Sequence, residues 1–351
     1  MKKTVLVVGA TGMAGRYFLQ YAEHQRPDWD LIGLARRPLD FDSRATYVAA
    51  DLNEDEIPEQ VSRALTHVTD LVFAGFVPAP TWLEQVDPNR RLLANALAAV
   101  KASGAPLQRV ILIQGMKYYG SHLGAFPTPA REDAARHMPP NYYYAQQDLL
   151  EQAQQGQAWH WTCLRPHVIA GYGARSPQNL LTVLGVYAAI SRHLGLPLCF
   201  PGTAGAYRAI NQATDARILA QAIAWALDEP ACRNEAFNIT NGDFFRWEHL
   251  WPAVAHHFQM PYGAVQTLDL GTQMADKADI WAQICEQHQL ESQPFDELVN
   301  WPFADYIWRC DWDVMASTIK ARQAGFAPCI DTQAMYLELL GLLQDKKVLP
   351  R

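Results

Sequence analysis

Largely apolar runs punctuate the first two thirds of the chain. They fall at Thr4–Val8, Leu31–Ala35, Leu71–Phe76, Val110–Ile113, Trp161–Leu164 and Ala236–Ile239. Such runs, β-branched and without polar alternation, are the pattern of strands buried on both faces of a parallel sheet. Helical patterns separate them, beginning with Tyr17–Ala22. Strand and helix in alternation predict an α/β fold with a doubly wound parallel sheet, whose ligands lie beyond the carboxyl ends of the strands. After Arg165-Pro166 the rhythm weakens, and seven of the eleven tryptophans fall beyond residue 200. The chain is therefore expected to divide into a sheet domain, 1–166 with a returning strand near 234–240, and a smaller, mostly helical substrate-covering domain from 167–233 and 241–351.

Composition narrows the class. Of 351 residues, 49% are hydrophobic and 19% charged, enough apolar material for a large core. A net charge of −7 argues against a protein that holds nucleic acid by neutralising its phosphates. Cys163, Cys199, Cys232, Cys285, Cys310 and Cys329 are scattered without a Cys-x-x-Cys pair, as reduced thiols are. The Met1-Lys2-Lys3 start followed by apolar residues has the look of a signal peptide, but Gly9, Gly12 and Gly15 break it and a helical stretch follows. No run approaches the roughly 18 apolar residues of a membrane span. A cytoplasmic protein with no membrane partner is expected.

The chemistry begins where the first run ends. In Gly9-Ala10-Thr11-Gly12-Met13-Ala14-Gly15, the glycines allow a tight turn, a close approach of backbone to a pyrophosphate, and close packing of helix on strand. The helix N-terminus then offers free N–H groups to the phosphates. Three glycines alone are a weak signal, but a buried strand before them and an apolar helix after them make a Rossmann dinucleotide site. An acidic residue about 20 positions on would grip the ribose hydroxyls of NAD. Here stand Ala35-Arg36-Arg37-Pro38, and guanidiniums favour the 2′-phosphate of NADPH. Asp51 and Leu52 are placed to meet the adenine. Further cofactor contacts are expected at Gly75, Phe76, Tyr143, Pro166 and Val168.

Many reductases of this fold use Tyr-x-x-x-Lys, in which an ammonium lowers the phenol's pKa. Residues 142–144 are all tyrosine, yet four places on stand Gln146, Gln147 and Asp148. After Val110–Ile113 comes Gln114-Gly115-Met116-Lys117, with a lysine but no serine.

In these segments the chain resembles the progesterone 5β-reductase and iridoid synthase family, atypical extended short-chain dehydrogenases/reductases. Gln114-Gly115-Met116-Lys117-Tyr118-Tyr119 resembles that family's Thr-Gly-x-Lys-His-Tyr, and Asn141-Tyr142-Tyr143-Tyr144-Ala145-Gln146-Gln147-Asp148 its Asn-Phe-Tyr-Tyr-x-x-Glu-Asp. Segments at 165–171, 186–190 and 234–243 are similar too. The resemblance implies NADPH-dependent reduction of the carbon-carbon double bond of an α,β-unsaturated carbonyl, with Lys117 and Tyr143 as the catalytic pair. It also implies Phe76 and Phe126 in the substrate pocket, and a homodimer. Gln114 replaces a threonine, Tyr118 a histidine and Gln147 a glutamate, and the loop from Gly120 to Phe126 is longer. These departures bear on substrate range.

Plainer readings compete. Tyr142–Tyr144 would serve equally as core aromatics, and Lys117 as a surface lysine. His249, His256 and His257 lack a partnering carboxylate set, so no metal is expected. Gly-x-Ser-x-Gly does not occur. Trp281, Trp301, Trp308 and Trp312 are expected in a core rather than a ligand cage. Rival functions are a carbonyl reductase, a sugar-nucleotide epimerase or dehydratase, and a non-catalytic NADP(H)-sensing regulator.

Overall fold

The computed structural model describes residues 2–54, 57–173, 178–291 and 294–351. Seven strands form one fully parallel sheet: β1 (Thr4–Val8), β2 (Asp30–Ala35), β3 (Thr46–Ala49), β4 (Asp70–Phe73), β5 (Arg109–Ile113), β6 (His160–Pro166) and, after two short strands named below, β9 (Glu235–Ile239). Their spatial order is β3-β2-β1-β4-β5-β6-β9, the doubly wound arrangement that reverses direction at β1. Helices α1 (Met13–Gln25), α2 (Glu59–Ala64), α3 (Val86–Ala102) and α4 (Tyr142–Gln154) join them.

Alternate residues of each strand enter opposite cores, as the two-residue period demands. Val5, Val7, Val72, Ile111 and Leu164 face α1, whereas Leu6, Val8, Leu71, Val110 and Leu112 face α2, α3 and α4. Strand β3 does not stand out as an apolar run because it is a half-exposed sheet edge. The run expected to continue to Phe76 leaves the ladder at Phe73. Beyond it the buried Asn89 side chain takes the N–H of Val77 at 2.9 Å and donates to its carbonyl at 2.8 Å, in place of a neighbouring strand.

The C-terminal half builds a separate core. Short strands β7 (Ile169–Ala170) and β8 (Thr214–Asp215) pair with each other, and helices α5 (Leu180–His193), α6 (Ala204–Arg208), α7 (Ala216–Asp228) and α8 (Trp247–His257) follow in order. Helix α7 packs on α1 and shares the core beneath it, so this part of 167–233 belongs to the sheet layers. Helices α5 and α8, with Trp281, Trp301 and Trp308, surround the second core. Trp281, Trp301 and Trp308 are core, with indoles of Trp247, Trp251 and Trp308 packed edge to face, whereas Trp312 is half-buried and packs outside this core. Among the described residues no helix is long and apolar enough to cross a membrane.

Candidate active site

A cleft of about 650 Å³ opens at the carboxyl ends of β1, β2, β4, β5 and β6 and is roofed by the helix Trp301–Trp308. Its first half is backbone. Gly9 has φ +83°, and a Cβ there would lie 2.7 Å from the Ala74 carbonyl oxygen; a Cβ on Gly15 would lie 2.3 Å from that of Gly9. Only glycine fits either place. Gly15 thus packs the helix onto the loop and does not line the cleft, while Gly9, Thr11, Gly12, Met13 and Ala14 do. Gly12 caps α1 without a side-chain bond, and no acidic residue occupies the first turn. The helix end therefore keeps free donors and its partial positive charge for an anion. Arg36, Asp51, Leu52, Gly75 and Phe76 continue the wall. Arg36 is exposed and 3.9 Å from the Asp51 carboxylate. Arg37 is exposed but lies off the cleft, so the arginine pair is divided. These surfaces fit a dinucleotide: a backbone cradle no side chain can fill, with one open guanidinium at the far end.

The second half carries the chemistry. Lys117 follows β5 on a short 3₁₀ turn, Met116–Tyr119, and Tyr143 lies in the first turn of α4; both line the cleft. Asn141 brings them together. As N-cap its side-chain oxygen accepts the Tyr143 N–H at 3.0 Å, and its amide donates to the Lys117 carbonyl at 2.8 Å. Gly115 leaves room for the phenol, whose oxygen would lie 3.0 Å from a Cβ at that position. Burial raises the pKa of Tyr143, and a hydrogen bond from the Tyr142 hydroxyl partly offsets this. At neutral pH Tyr143 is therefore a neutral phenol. Its hydroxyl lines the cleft beside that of Tyr142, and as a neutral phenol it can donate to a ligand there.

Lys117 is desolvated. Its ammonium lies 4.2 Å from the Trp82 ring centroid and 5.1 Å from that of Tyr306, and among the described residues no carboxylate pairs with it. Burial lowers its pKa to about 8. His122 and His167 are held at about 4 by burial and by the Lys117 charge, so both are neutral. The cleft floor thus holds one positive charge, in an apolar setting that strengthens it.

Beneath Tyr143 lies a buried polar network. Arg165, 1% exposed, donates to the Gln114 side-chain oxygen at 2.9 Å, to Gln147 at 3.2 Å and to the Tyr119 hydroxyl at 2.8 Å, and it stacks 3.4 Å from the Tyr118 ring centroid. Gln114 in turn donates to the Tyr143 carbonyl at 3.2 Å. Gln147, at the position where Tyr-x-x-x-Lys would place its lysine, is turned into this network and away from the cleft. The departures at Gln114, Tyr118 and Gln147 are thereby structurally linked through one guanidinium.

Other expected positions divide. Pro166 and Val168 line the cleft, and Val168 has φ +40°. A β-branched residue there is strained by about 1–3 kcal/mol, and such strain collects at ligand sites. Phe76 lines the cleft with its ring 5.6 Å from that of Tyr142. Phe126 does not. It packs on the buried cluster of Met116, Tyr118, Tyr144 and Cys310, because the Gly120–Phe126 loop turns it toward that apolar surface. The expectation for Phe126 is corrected accordingly. Not foreseen were Trp82 under Lys117, and Asn300, Phe303, Tyr306 and Ile307 in the roof. They come from distant segments with no local motif. Asn141, by contrast, carries the ordinary N-cap signature.

A doubly wound parallel sheet, a glycine loop at its switch point, and a tyrosine and lysine lining the same cleft define an enzyme of the short-chain dehydrogenase/reductase superfamily. The family described as PRISE-like Rossmann-fold domain matches residues 42–328, and the chain belongs to it. Among its relatives, an (S)-8-oxocitronellyl enol synthase of Nepeta cataria is 31% identical across 99% of this chain and 94% of its own length. A 3-oxo-Δ4,5-steroid 5β-reductase of Arabidopsis thaliana is 30% identical over the same shares. Among solved structures, a UDP-glucose 4-epimerase of Thermotoga maritima superposes with a TM-score of 0.70 at 13% identity, over 97% of this chain and 99% of its own. That likeness concerns the fold.

Proposed function

We propose that this chain is an NADPH-dependent reductase that saturates the carbon-carbon double bond of small enones or enals. The observation that carries the reading is the meeting of Lys117 and Tyr143 at one end of a dinucleotide cleft, bridged by Asn141, with Gln147 where the usual lysine would stand. When bound, the reduced nicotinamide would supply a hydride to the β-carbon, and the substrate enolate would then take a proton from solvent at its α-carbon to give the saturated carbonyl. As charge develops on the substrate's carbonyl oxygen, the Tyr143 hydroxyl donates to it and the Lys117 ammonium supplies positive potential. Both interactions strengthen in the transition state, which is the requirement for catalysis. Phe76, Tyr142, Phe303 and Tyr306 give the substrate a largely aromatic wall. A sugar-nucleotide epimerase suits the fold, but a mobile proton shared between tyrosine and lysine four residues apart is what Gln147 forecloses.

The test is incubation of the protein with NADPH and cyclohex-2-enone, with product identification. A saturated ketone is expected. An allylic alcohol would mean carbonyl reduction, and tight NADPH binding without turnover would point to a regulator. Arg36 favours NADPH because, among the described residues, its exposed guanidinium is the arginine that lines the cleft, and its 3.9 Å separation from Asp51 leaves it able to meet a phosphate. Arg36→Ala is expected to raise KM for NADPH by roughly tenfold while leaving that for NADH nearly unchanged, the loss of one charge-assisted phosphate contact. Equal effects on both cofactors would show that Arg36 does not read the phosphate. The six cysteines, all unpaired, suit a reducing compartment.

A further inference from the structure

A second cavity of about 440 Å³ lies behind the roof of the cleft, lined among others by His122, Pro302, Asp305, Arg309 and Trp312. Among the described residues Tyr306 alone lines both spaces. Its ring is a partition held from several sides. One face receives the Lys117 ammonium at 5.1 Å. The hydroxyl is hydrogen-bonded to the Ser121 side chain, on the cleft wall. The Tyr306 carbonyl accepts the Cys310 thiol at 3.3 Å, and Trp312 donates to the Ser121 carbonyl at 3.3 Å. The helix carrying Tyr306 is pinned by the buried Trp301, Ala304 and Trp308. A ring so fixed does not swing aside at low energy.

The geometry points to Tyr306 as the residue that sets substrate length. A substrate whose carbonyl meets Tyr143 and Lys117 has its tail stopped at this ring, although an open space of mixed polarity, with Pro302 and Trp312 as its apolar walls, lies beyond it. Around that space Arg309 is charge-paired with Asp269 at 3.4 Å and Asp305 at 3.7 Å, so it offers no free cation to an anionic tail. The native enzyme accordingly selects compact carbonyls, and removing the ring opens a passage for a longer, uncharged alkyl tail. This rests on the reductase reading for the reacting end only.

Straight-chain 2-enals of six to twelve carbons share their reacting atoms, so the ratio of kcat/KM between long and short members isolates the tail from any effect on Lys117. In the wild type this ratio is expected to fall by roughly tenfold or more along the series, and Tyr306→Ala to abolish the fall. Tyr306→Phe, which keeps the ring, should retain the wild-type preference, and Tyr306→Leu serves as a second opening variant should the alanine variant fail to fold by thermal melting. Binding of saturated alkan-2-ones to the NADP⁺ complex, by calorimetry, gives the same length ratio without turnover. If no enal is reduced but the ketone affinities follow the pattern, the reductase reading fails and the length limit stands. A wild type indifferent to tail length, or opened variants with its unchanged preference, overturns the assignment of Tyr306.

Discussion

Tyr143→Phe is expected to lower kcat for enone reduction by about 100- to 1000-fold while changing NADPH affinity little, the effect of deleting one preorganised donor at a developing oxyanion. The substitution removes a single oxygen from a buried ring. Burial keeps this phenol protonated, so the substitution removes the donor that lines the cleft, together with the contact the hydroxyl makes with Tyr142. Phenylalanine fills the same space beside Gly115, and Asn141 still caps the helix through the backbone N–H of residue 143. Fold and cofactor cradle should therefore survive, as a melting temperature near wild type would show. Because the lost interaction belongs to the transition state, kcat and kcat/KM should fall together. A rise in KM with kcat preserved would instead make Tyr143 a binding residue. Wild-type rates would remove it from the mechanism.

The sequence made the central strands legible and the periphery much less so, for one physical reason. Thr4–Val8 is buried on both faces and reads as an uninterrupted apolar run with the bounds observed, whereas the edge strand Thr46–Ala49 is half exposed and blends with its loops. The glycine loop was legible because its conformational requirement is local: Gly9 needs a positive φ, and Gly15 a missing Cβ. Arg36 and Arg37 were not separable by that logic, since their side chains leave one backbone stretch in different directions. The Lys117–Tyr143 pair is a long-range meeting, suggested by resemblance and built by Asn141. Trp82 and Tyr306, which define the setting of Lys117, approach it through tertiary packing alone. Gln147 shows the same limit. Its identity was plain, but the interior turn that ties it to Arg165 was not.

Lys117 is expected to trade stability for rate. In the folded chain its pKa is lowered to about 8, by burial against Trp82 and Tyr306 without a carboxylate partner among the described residues. Lysine in the unfolded chain titrates near 10.4, so between those values the unfolded state binds more protons and stability rises with pH. Below about 8 the folded chain bears the full penalty of a buried ammonium, on the order of 2 kcal/mol. Lys117→Met keeps the length of the side chain and removes the charge. It should raise the melting temperature by a few degrees at neutral pH, with the gain shrinking as the pH climbs. Activity should move the other way. If the ammonium supplies the potential at the substrate oxygen, Lys117→Met loses about 100-fold in kcat. The wild-type rate should decline as pH rises through and beyond about 8, as Lys117 loses its proton. Bound phosphates would displace that inflection upward, never downward, since negative charge favours the protonated form. His122 and His167 stay neutral above about 4, and Cys310, raised to about 11, stays a thiol, so none of these three titrates in this window. A lysine on an open surface would give none of these results: its loss would leave melting temperature, rate and pH profile alike. A variant that is more stable and nearly inactive, with a flat pH profile, is the outcome that ties the buried charge to the chemistry.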